Sequence, residues 1–369
     1  MGLRIAVDAS RATIPKRTGT EQYALHLIRA LIALESPHIF TLYFRDTPPD
    51  DLFAARPNVT RAVIPFPRLW THIRLALALA ADRPDVTFVP AHTLPILFPG
   101  RAVVTVHDLG YLHFPGAHPL SERLYLDLST RHSARRADIV LADSEATRRD
   151  LGRSYGIAPE KVRVAYPGID PALAPVTDPG VLKSVREKYG LPPRYLFFIG
   201  SLRPRKNLTR LVEAFAKAQP PDTALVLAGK PGRAAQDLIA QVERLDLPVI
   251  FPGYVADADV AALYSAALAL VFPSLYEGFG FPVAEAMRCG TPVICSNTSS
   301  LPEIAGDAAL LVDPLDADAI AEAIRRVAGD SDLRASLSAR GKARAARFTW
   351  EDAAHRTLTT LEEAARKDK

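Results

Sequence analysis

The chain reads as an α/β protein built from two doubly wound parallel sheets in succession. Short runs rich in β-branched residues alternate with longer segments of helical period along its whole length, which is the pattern of parallel strands covered on both faces by helices. At 369 residues it exceeds what one hydrophobic core usually serves. The alternation also breaks once, in PGIDPALAPVTDPG at 167–180, where prolines and glycines cluster and no period survives.

The strands of the first half read LRIAV, IFTLYF, VTRAVI, DVTFVP, RAVVTVHD, DIVLAD and VRVAY, with helices expected over 19–34, 68–81, 119–135 and 145–154. In the second half YLFFIG, ALVLAG, PVIFPG, LALVF, PVICS and ALLVD alternate with helices. The segment 207–218 is typical of these, because Leu208, Leu211, Val212 and Phe215 fall at i, i+3, i+4 and i+7. Helices near 316–327 and 331–345 follow the last strand, and then comes a final amphipathic segment, WEDAAHRTLTTLEEAARK. Ligands of open α/β sheets bind at the carboxyl ends of strands, so the loops there, and a cleft between two such domains, are where a site is expected.

Composition narrows the function. The 45 basic and 41 acidic residues nearly cancel, which argues against a nucleic-acid partner. Residues 1–170 hold 21 Lys and Arg against 17 Asp and Glu, the rest 24 against 24, so the excess of +4 lies in the first half and hints at an anionic partner there. Cys289 and Cys295 have no metal-ligand spacing and are too few for a disulfide framework; they read as buried small hydrophobes in a reducing cytoplasm. The amino terminus lacks the pattern of a signal peptide, and the longest apolar run, VAALYSAALALVF, is too short to span a bilayer. Peripheral attachment to the inner face of a membrane stays open. PRLWTHIRLALALAADR carries Leu69, Ile73, Leu77 and Ala80 at helical spacing beside Arg68, Trp70 and Arg74, as an interfacial helix would; an ordinary helix packed on a sheet by that stripe is the commoner explanation.

A dinucleotide glycine fingerprint, a P-loop and a G-x-S-x-G elbow are all absent, which lowers the oxidoreductase, ATPase and hydrolase readings. Two D-x-D strings, Asp257-Ala-Asp259 and Asp316-Ala-Asp318, stand where helices begin and are explained by capping. Four stretches carry chemistry. SLYEGFGFPVAEAM, 274–287, holds Glu277 and Glu285 around Gly278, Gly280 and Pro282. A continuous helix would set the two carboxylates about 80° apart and about 12 Å along the axis, but two glycines and a proline argue instead for a loop leading into a helix that begins near Pro282. Both carboxylates then flank a helix start, with Glu285 in its first turn or so, where unpaired N–H groups suit phosphate or sugar oxygens. GSLRPRKNL, 200–208, packs Arg203, Arg205 and Lys206 into a strand-to-helix turn that Asn207 can cap, a place where cations meet a diphosphate. TVHDL puts His107 and Asp108 at a strand end, fit to bond a sugar hydroxyl, to carry a proton, or simply to satisfy a loop. The loop after the first strand brings Gly19 to the start of the first helix, where backbone N–H groups could approach an anion.

Together these residues resemble glycosyltransferase family 4, the retaining enzymes of GT-B fold, over nearly the full length. The E-x7-E element is matched by Glu277 and Glu285, the G-x-L-x-P-x-K-N turn by Gly200, Leu202, Pro204, Lys206 and Asn207, the strand-end histidine by His107, and the P-G-I/V-D interdomain strand end by Pro167, Gly168, Ile169 and Asp170. The resemblance implies an acceptor domain over 1–170, a nucleotide-sugar domain over 171–348 and a last helix, 349–369, crossing back to the first. It further implies that Glu285 holds the donor ribose, and that Arg205 and Lys206 clamp the diphosphate. Glu277 with Gly278, Phe279, Gly280 and Phe281 would contact the transferred sugar, with His107 beside it, while Gly253, Tyr254 and Val255 would touch the base. Where many members carry two adjacent glycines in the first loop, this chain has Thr18-Gly19-Thr20, and Ser201 stands where some carry a further arginine.

The function so implied is transfer of a hexosyl group, with retention and without a metal or other cofactor, from a nucleoside diphosphate sugar to a glycan or lipid-linked glycan. GSLRPRKNL and SLYEGFGFPVAEAM are most similar to bacterial mannosyl- and rhamnosyltransferases of polysaccharide assembly, which makes GDP-mannose the expected donor. Two other readings use the same residues: a nucleotide-sugar epimerase of the same fold, which needs no acceptor, and a catalytically silent nucleotide-sugar-binding subunit.

Overall fold

In the computed structural model, residues 2–14, 19–117, 119–230 and 235–366 are described. Thr18 of the first loop and Lys367 of the final segment lie outside them. The chain divides into two compact units, Met1–Gly168 with Thr349–Lys369, and Ile169–Phe348.

The first unit is a seven-stranded parallel sheet of β1 (Arg4–Asp8), β2 (Ile39–Phe44), β3 (Val59–Val63), β4 (Val86–Val89), β5 (Ala102–Val106), β6 (Ile139–Ala142) and β7 (Val162–Val164), in the order β3-β2-β1-β4-β5-β6-β7. The second has β8 (Tyr195–Ile199), β9 (Ala224–Ala228), β10 (Val249–Gly253), β11 (Ala269–Phe272), β12 (Val293–Ser296) and β13 (Leu310–Val312), in the order β10-β9-β8-β11-β12-β13. Central strands such as AVVTV and ALVLA are buried along their whole length, as a sheet covered on both faces requires. Each sheet winds one way from its first strand and then returns to that strand's other side. That leaves a topological switch point between β1 and β4 in one unit and between β8 and β11 in the other, and at such points strand-end loops diverge and leave room for a ligand.

The helix Trp350–Arg366 belongs to the first unit's core. It packs on the helix Gly19–Ala33, and buries Ala353, Ala354, Leu361 and Ala364 in the same cluster as β1 and β2. Gly168 makes the approach to it, since a Cβ there would lie 2.2 Å from the Trp350 nitrogen.

The segment 68–81 departs from its expected packing. Thr71–Leu75 is a π-helical turn, closed by the Leu75 N–H donating to the Trp70 carbonyl at 2.9 Å, and Ala76–Asp82 continues as α-helix. The extra residue in that turn rotates the inner face, so Trp70, Leu75 and Leu79 are buried while Leu69, Ile73 and Leu77 point outward. The capping expectations divide as well. Asp316 caps its helix, accepting from the Asp318 and Ala319 N–H groups at 2.9 and 3.0 Å, whereas Ala256 occupies the cap before Asp257, and Asp259 instead accepts from the Tyr189 hydroxyl and from Lys188.

If the last helix is core and not appendage, truncating one of its buried side chains destabilises the first unit. Leu361→Ala is expected to cost about 3 kcal/mol, read as a lower urea midpoint with an unchanged slope.

Candidate active site

The second unit gathers its site residues at the β8/β11 switch point. After β8 the chain makes a tight turn, Pro204–Lys206, and Asn207 then takes a left-handed conformation, φ 60°, before the helix Leu208–Ala218. Asn207 does not cap that helix with its side chain. Its amide donates to the Pro314 and Pro273 carbonyls at 2.6 and 3.2 Å, which ties the turn to two neighbouring loops. After β11 the loop Pro273–Gly280 faces it, and the two loops are stitched by the Leu275 N–H to the Arg205 carbonyl and by Arg205 Nη1 to the Tyr276 carbonyl, both 2.8 Å.

At the centre is the Glu277 carboxylate. One oxygen accepts from Arg205 Nη1 at 2.9 Å, and the other accepts from Lys206 Nζ and lies 2.5 Å from the Ser274 hydroxyl. Glu277 and Lys206 are both buried, and the ammonium also stands 4.7 Å from the centroid of the Phe272 ring. Burial alone would push the Glu277 carboxyl up. The charges of Lys206 and Arg205 more than offset this and hold it below the ordinary range, so it is a carboxylate at neutral pH. The backbone around it is fixed from β12's carboxyl end, where Ser299 accepts from the Glu277 N–H at 3.0 Å and Ser300 donates to the Phe279 carbonyl at 2.8 Å. Glu277 is therefore not a bare carboxylate waiting for a ligand, and Arg205 and Lys206 are held on it in the resting protein.

Gly280 precedes the helix Phe281–Arg288 at φ 105°, with Pro282 in the first turn; a Cβ there would meet the Leu301 side chain at 2.6 Å. Glu285 lies past the first turn, so it does not share the helix's free N–H groups as expected. Its carboxyl accepts from the Tyr264 hydroxyl at 3.0 Å. Burial raises its pKa to about 7, with Asp170 and Asp257 adding to the rise and the Tyr264 bond opposing it. Of the remaining expected residues, Gly253 ends β10 in a left-handed conformation, φ 75°; Tyr254 is 68% exposed, and the Val255 side chain is buried, which leaves backbone and the Tyr254 ring to meet a base there. Ser201 is exposed. Among the described residues no cluster of three or more His, Cys, Asp or Glu side chains is arranged to hold a metal ion.

In the first unit Gly19, exposed, opens the helix Gly19–Ala33, and His107 follows β5 into a buried cluster. Its Nδ1 lies 2.7 Å from Asp143 Oδ2 and its Nε2 3.3 Å from the Pro90 carbonyl oxygen, so both ring nitrogens face acceptors. Tyr23 meets the imidazole edge-on at 4.6 Å between ring centres, and the His92 ring stands at 5.3 Å. Burial lowers the His107 pKa, but the Asp143 charge and hydrogen bond outweigh it and the net shift is upward. Burial pushes the pKa of His92 down to about 3, and the neighbouring positive charge of His107 adds to the fall. Asp143 escaped attention in the sequence although it ends DIVLAD as His107 ends its own strand. The same strand-end rule finds it, and finds Ser299 and Ser300 beyond PVICS.

Comparison with known proteins identifies the family. A model of glycosyltransferase family 4 matches residues 17–173, and one of glycosyl transferases group 1 matches residues 183–344. O-antigen chain mannosyltransferase B of Escherichia coli is 36% identical over 265 residues, which cover 70% of this chain and 69% of that one. The chain belongs to glycosyltransferase family 4. A serotype-specific mannosyltransferase of Escherichia coli, WbdA, is 31% identical over 302 residues, 76% of this chain but only 37% of its own length. Among solved structures, sucrose-phosphate synthase of Thermosynechococcus elongatus superposes with a TM-score of 0.76 at 24% identity, covering 98% of both chains. HepE of Anabaena, solved in complex with UDP and glucose, superposes at 0.74 with 20% identity, covering 98% of this chain and 100% of that one. These likenesses establish the two Rossmann-like units of this glycosyltransferase as a GT-B fold.

The His107–Asp143 pair gives this family 4 chain a test of its own. A histidine whose folded pKa is raised adds stability that is complete below its ordinary pKa and is lost as pH rises through the raised one. Asp143→Asn removes the charge but keeps the burial, so the His107 imidazole, followed by NMR, is expected to titrate above the ordinary histidine range in the native protein and below it in the variant. An unchanged titration would contradict the pairing.

Proposed function

We propose that the chain transfers a hexosyl group, with mannose from GDP-mannose first among the donors, to a hydroxyl of a glycan or lipid-linked glycan acceptor with retention of configuration. The observation that carries this reading is the pair of cations, Arg205 and Lys206, held together at the β8/β11 switch point by a buried carboxylate. Mannosyltransferases among the relatives favour the sugar.

The chemistry places its demand on the leaving group. As the bond from C1 of the sugar to the diphosphate oxygen breaks, negative charge grows on the phosphate, and cations fixed in advance stabilise it without reorganising at the moment of reaction. Arg205 and Lys206 are suited to that work. In the free protein Glu277 keeps them in place and offsets their mutual repulsion; with donor bound, the diphosphate oxygens share them, and Glu277 keeps one oxygen for the sugar. The acceptor hydroxyl attacks on the same face from which the diphosphate departs, the new bond to C1 forms as the old one breaks, and the acceptor proton passes to the departing phosphate oxygen. Two cations in this role stand where other transferases place a divalent metal. His107, whose pKa Asp143 raises, is assigned to a hydrogen bond with a sugar hydroxyl, its Nε2 exchanging the 3.3 Å contact with the Pro90 carbonyl for it. Gly19 is assigned to phosphate contact, and Gly253, Tyr254 and Val255 to the base, with Ser201 at the exposed rim.

Incubation with a panel of nucleotide sugars and an acceptor glycan, following nucleoside diphosphate release, tests this reading. GDP-mannose is expected to turn over fastest and to do so undiminished in EDTA; complete dependence on an added metal would sink the cation-clamp account. Lys206→Ala is expected to lower kcat by about 10²–10³, the usual loss on removing one preorganised donor.

Glu285 supplies a second, separate test. Its carboxyl titrates near pH 7, and accepting two ribose hydroxyls favours the charged form, so donor binding lowers its pKa and releases a proton at and just below neutrality. Calorimetry in buffers of different ionisation enthalpy is expected to show that release, and its loss in Glu285→Gln. Proton uptake, or an unchanged release in the variant, would remove Glu285 from the ribose.

A further inference from the structure

Each of the two sheets has two edges, and three of these four carry a device against further pairing. β3 holds Arg61 and β7 holds Arg163, charges that an arriving strand would have to cover. β10 holds Pro252, which has no N–H to give, and its register slips between Ile250 and Gly253. The fourth edge, β13, reads Leu310-Leu311-Val312, with no charge, no proline and an even register against β12. Such an edge is a template to which another strand adds.

The ladder sets which backbone groups that edge presents. Val312 points to β12, its carbonyl accepting from the Asn297 N–H at 2.8 Å. In a parallel ladder the neighbouring residue points the other way, so the Leu311 N–H and C=O face out of the sheet, where no strand among the described residues lies beyond them. The Leu311 side chain is 40% exposed, and Leu315, three residues past the strand, is 65% exposed. A groove of about 480 Å³ runs between the strand and the helix Ala317–Gly329; Ala319 and Ala323 line its helix side, one turn apart and too small to fill it.

The occupant follows from the charges. The chain turns back after β13, so the helix runs antiparallel to the strand and the two ends of this unit differ in sign. Asp313, Asp316 and Asp318 stand at the strand's carboxyl end, and Arg325 and Arg326 stand in the last turns of the helix, towards the strand's amino end. Asp307, ahead of the strand, lies 4.0 Å from Arg340 and does not cancel those arginines. Asp318 meets Lys217 at 3.1 Å and Glu322 meets Arg325 at 2.9 Å, exposed pairs that hold their partners weakly. A second copy set antiparallel across a two-fold axis at Leu311 brings the acidic end of each unit against the basic end of the other, and opposes the helix dipoles as well. A parallel arrangement would set like charges together.

We propose that β13 pairs with β13 of a second copy of this chain, antiparallel and with Leu311 opposite Leu311, joining the two sheets into one. Each Leu311 N–H donates to the other's carbonyl, and the two leucine side chains lie side by side. The pairing does not rest on the transfer reaction proposed above, and either can fail without the other.

Sedimentation equilibrium of the full chain over a range of concentrations tests this. The native protein is expected to be a dimer at low salt, and to dissociate more readily as salt screens the opposed charges. Leu311→Lys changes one exposed side chain and sets two ammonium groups opposite each other. It is expected to keep its circular dichroism and to raise the dimer dissociation constant at least about tenfold. Arg326→Glu, which leaves the strand alone, is expected to weaken the dimer at low salt. Leu311→Cys reads the register: hydrogen-bonded antiparallel partners stand about 5.5 Å apart between Cα atoms, within reach of a disulfide. The native cysteines are buried, so mild oxidation of this variant is expected to give a covalent dimer on a non-reducing gel. A monomer at every concentration would overturn the proposal. So would a dimer that Leu311→Lys leaves intact or that Leu311→Cys fails to cross-link, since the copies would then meet elsewhere.

Discussion

A buried carboxylate that holds two cations organises the second unit. Glu277 would be costly to bury alone, and so would Lys206; each makes the other's burial tolerable, with Arg205 adding a second charge from the half-exposed side. Because the partners come from loops after β8 and β11, on either side of the point where the sheet reverses, the pair fixes the shape of the opening between them. The left-handed Asn207 and the positive φ of Gly280 follow from that constraint: one bends the basic turn into its helix, the other turns the acidic loop into the next one. The serines beyond β12 hold the second loop's backbone where Glu277 must stand.

The first unit solves a related problem with one charge pair. His107 and Asp143 end adjacent parallel strands, and the loops that carry them are joined again where the Thr147 hydroxyl donates to the His107 carbonyl at 3.0 Å. With Nδ1 on Asp143 and Nε2 toward the Pro90 carbonyl the ring is fixed in orientation, and the Asp143 charge favours its protonated form, which can donate a hydrogen bond and has no lone pair to accept a proton. In both units the ionisable groups are paired within the protein, and a ligand must enter an existing electrostatic arrangement.

The fold was legible because its signals are repeated. All thirteen strands announce themselves as apolar runs at roughly regular intervals, and they end within a residue or two of where the sequence puts them. Short helices were harder. Pro179–Lys188 hides behind a proline-rich stretch that reads as linker, yet Asp178 caps it at 2.7 Å from the Gly180 nitrogen and its proline sits where helices tolerate one. The stripe Leu69, Ile73, Leu77 has faultless helical spacing but the wrong face is inside, because a π-turn is a one-residue change of phase that spacing alone does not carry. For the site, the residue types at strand ends were readable one by one. Their partners were not: that Glu277 would take both cations depends on two loops meeting over some 70 residues of chain, and that Glu285 would face Tyr264 rather than the helix start depends on two helices packing 21 residues apart.

The claim on which the account rests is that Arg205 and Lys206 are held ready by Glu277 for a diphosphate. A crystal structure of the chain with GDP bound tests it most directly. The account predicts phosphate oxygens about 3 Å from both Lys206 Nζ and an Arg205 guanidinium nitrogen, with at least one of the present bonds to Glu277 lengthened or exchanged. Phosphates bound elsewhere, with Glu277 still holding both cations as it does now, would contradict it.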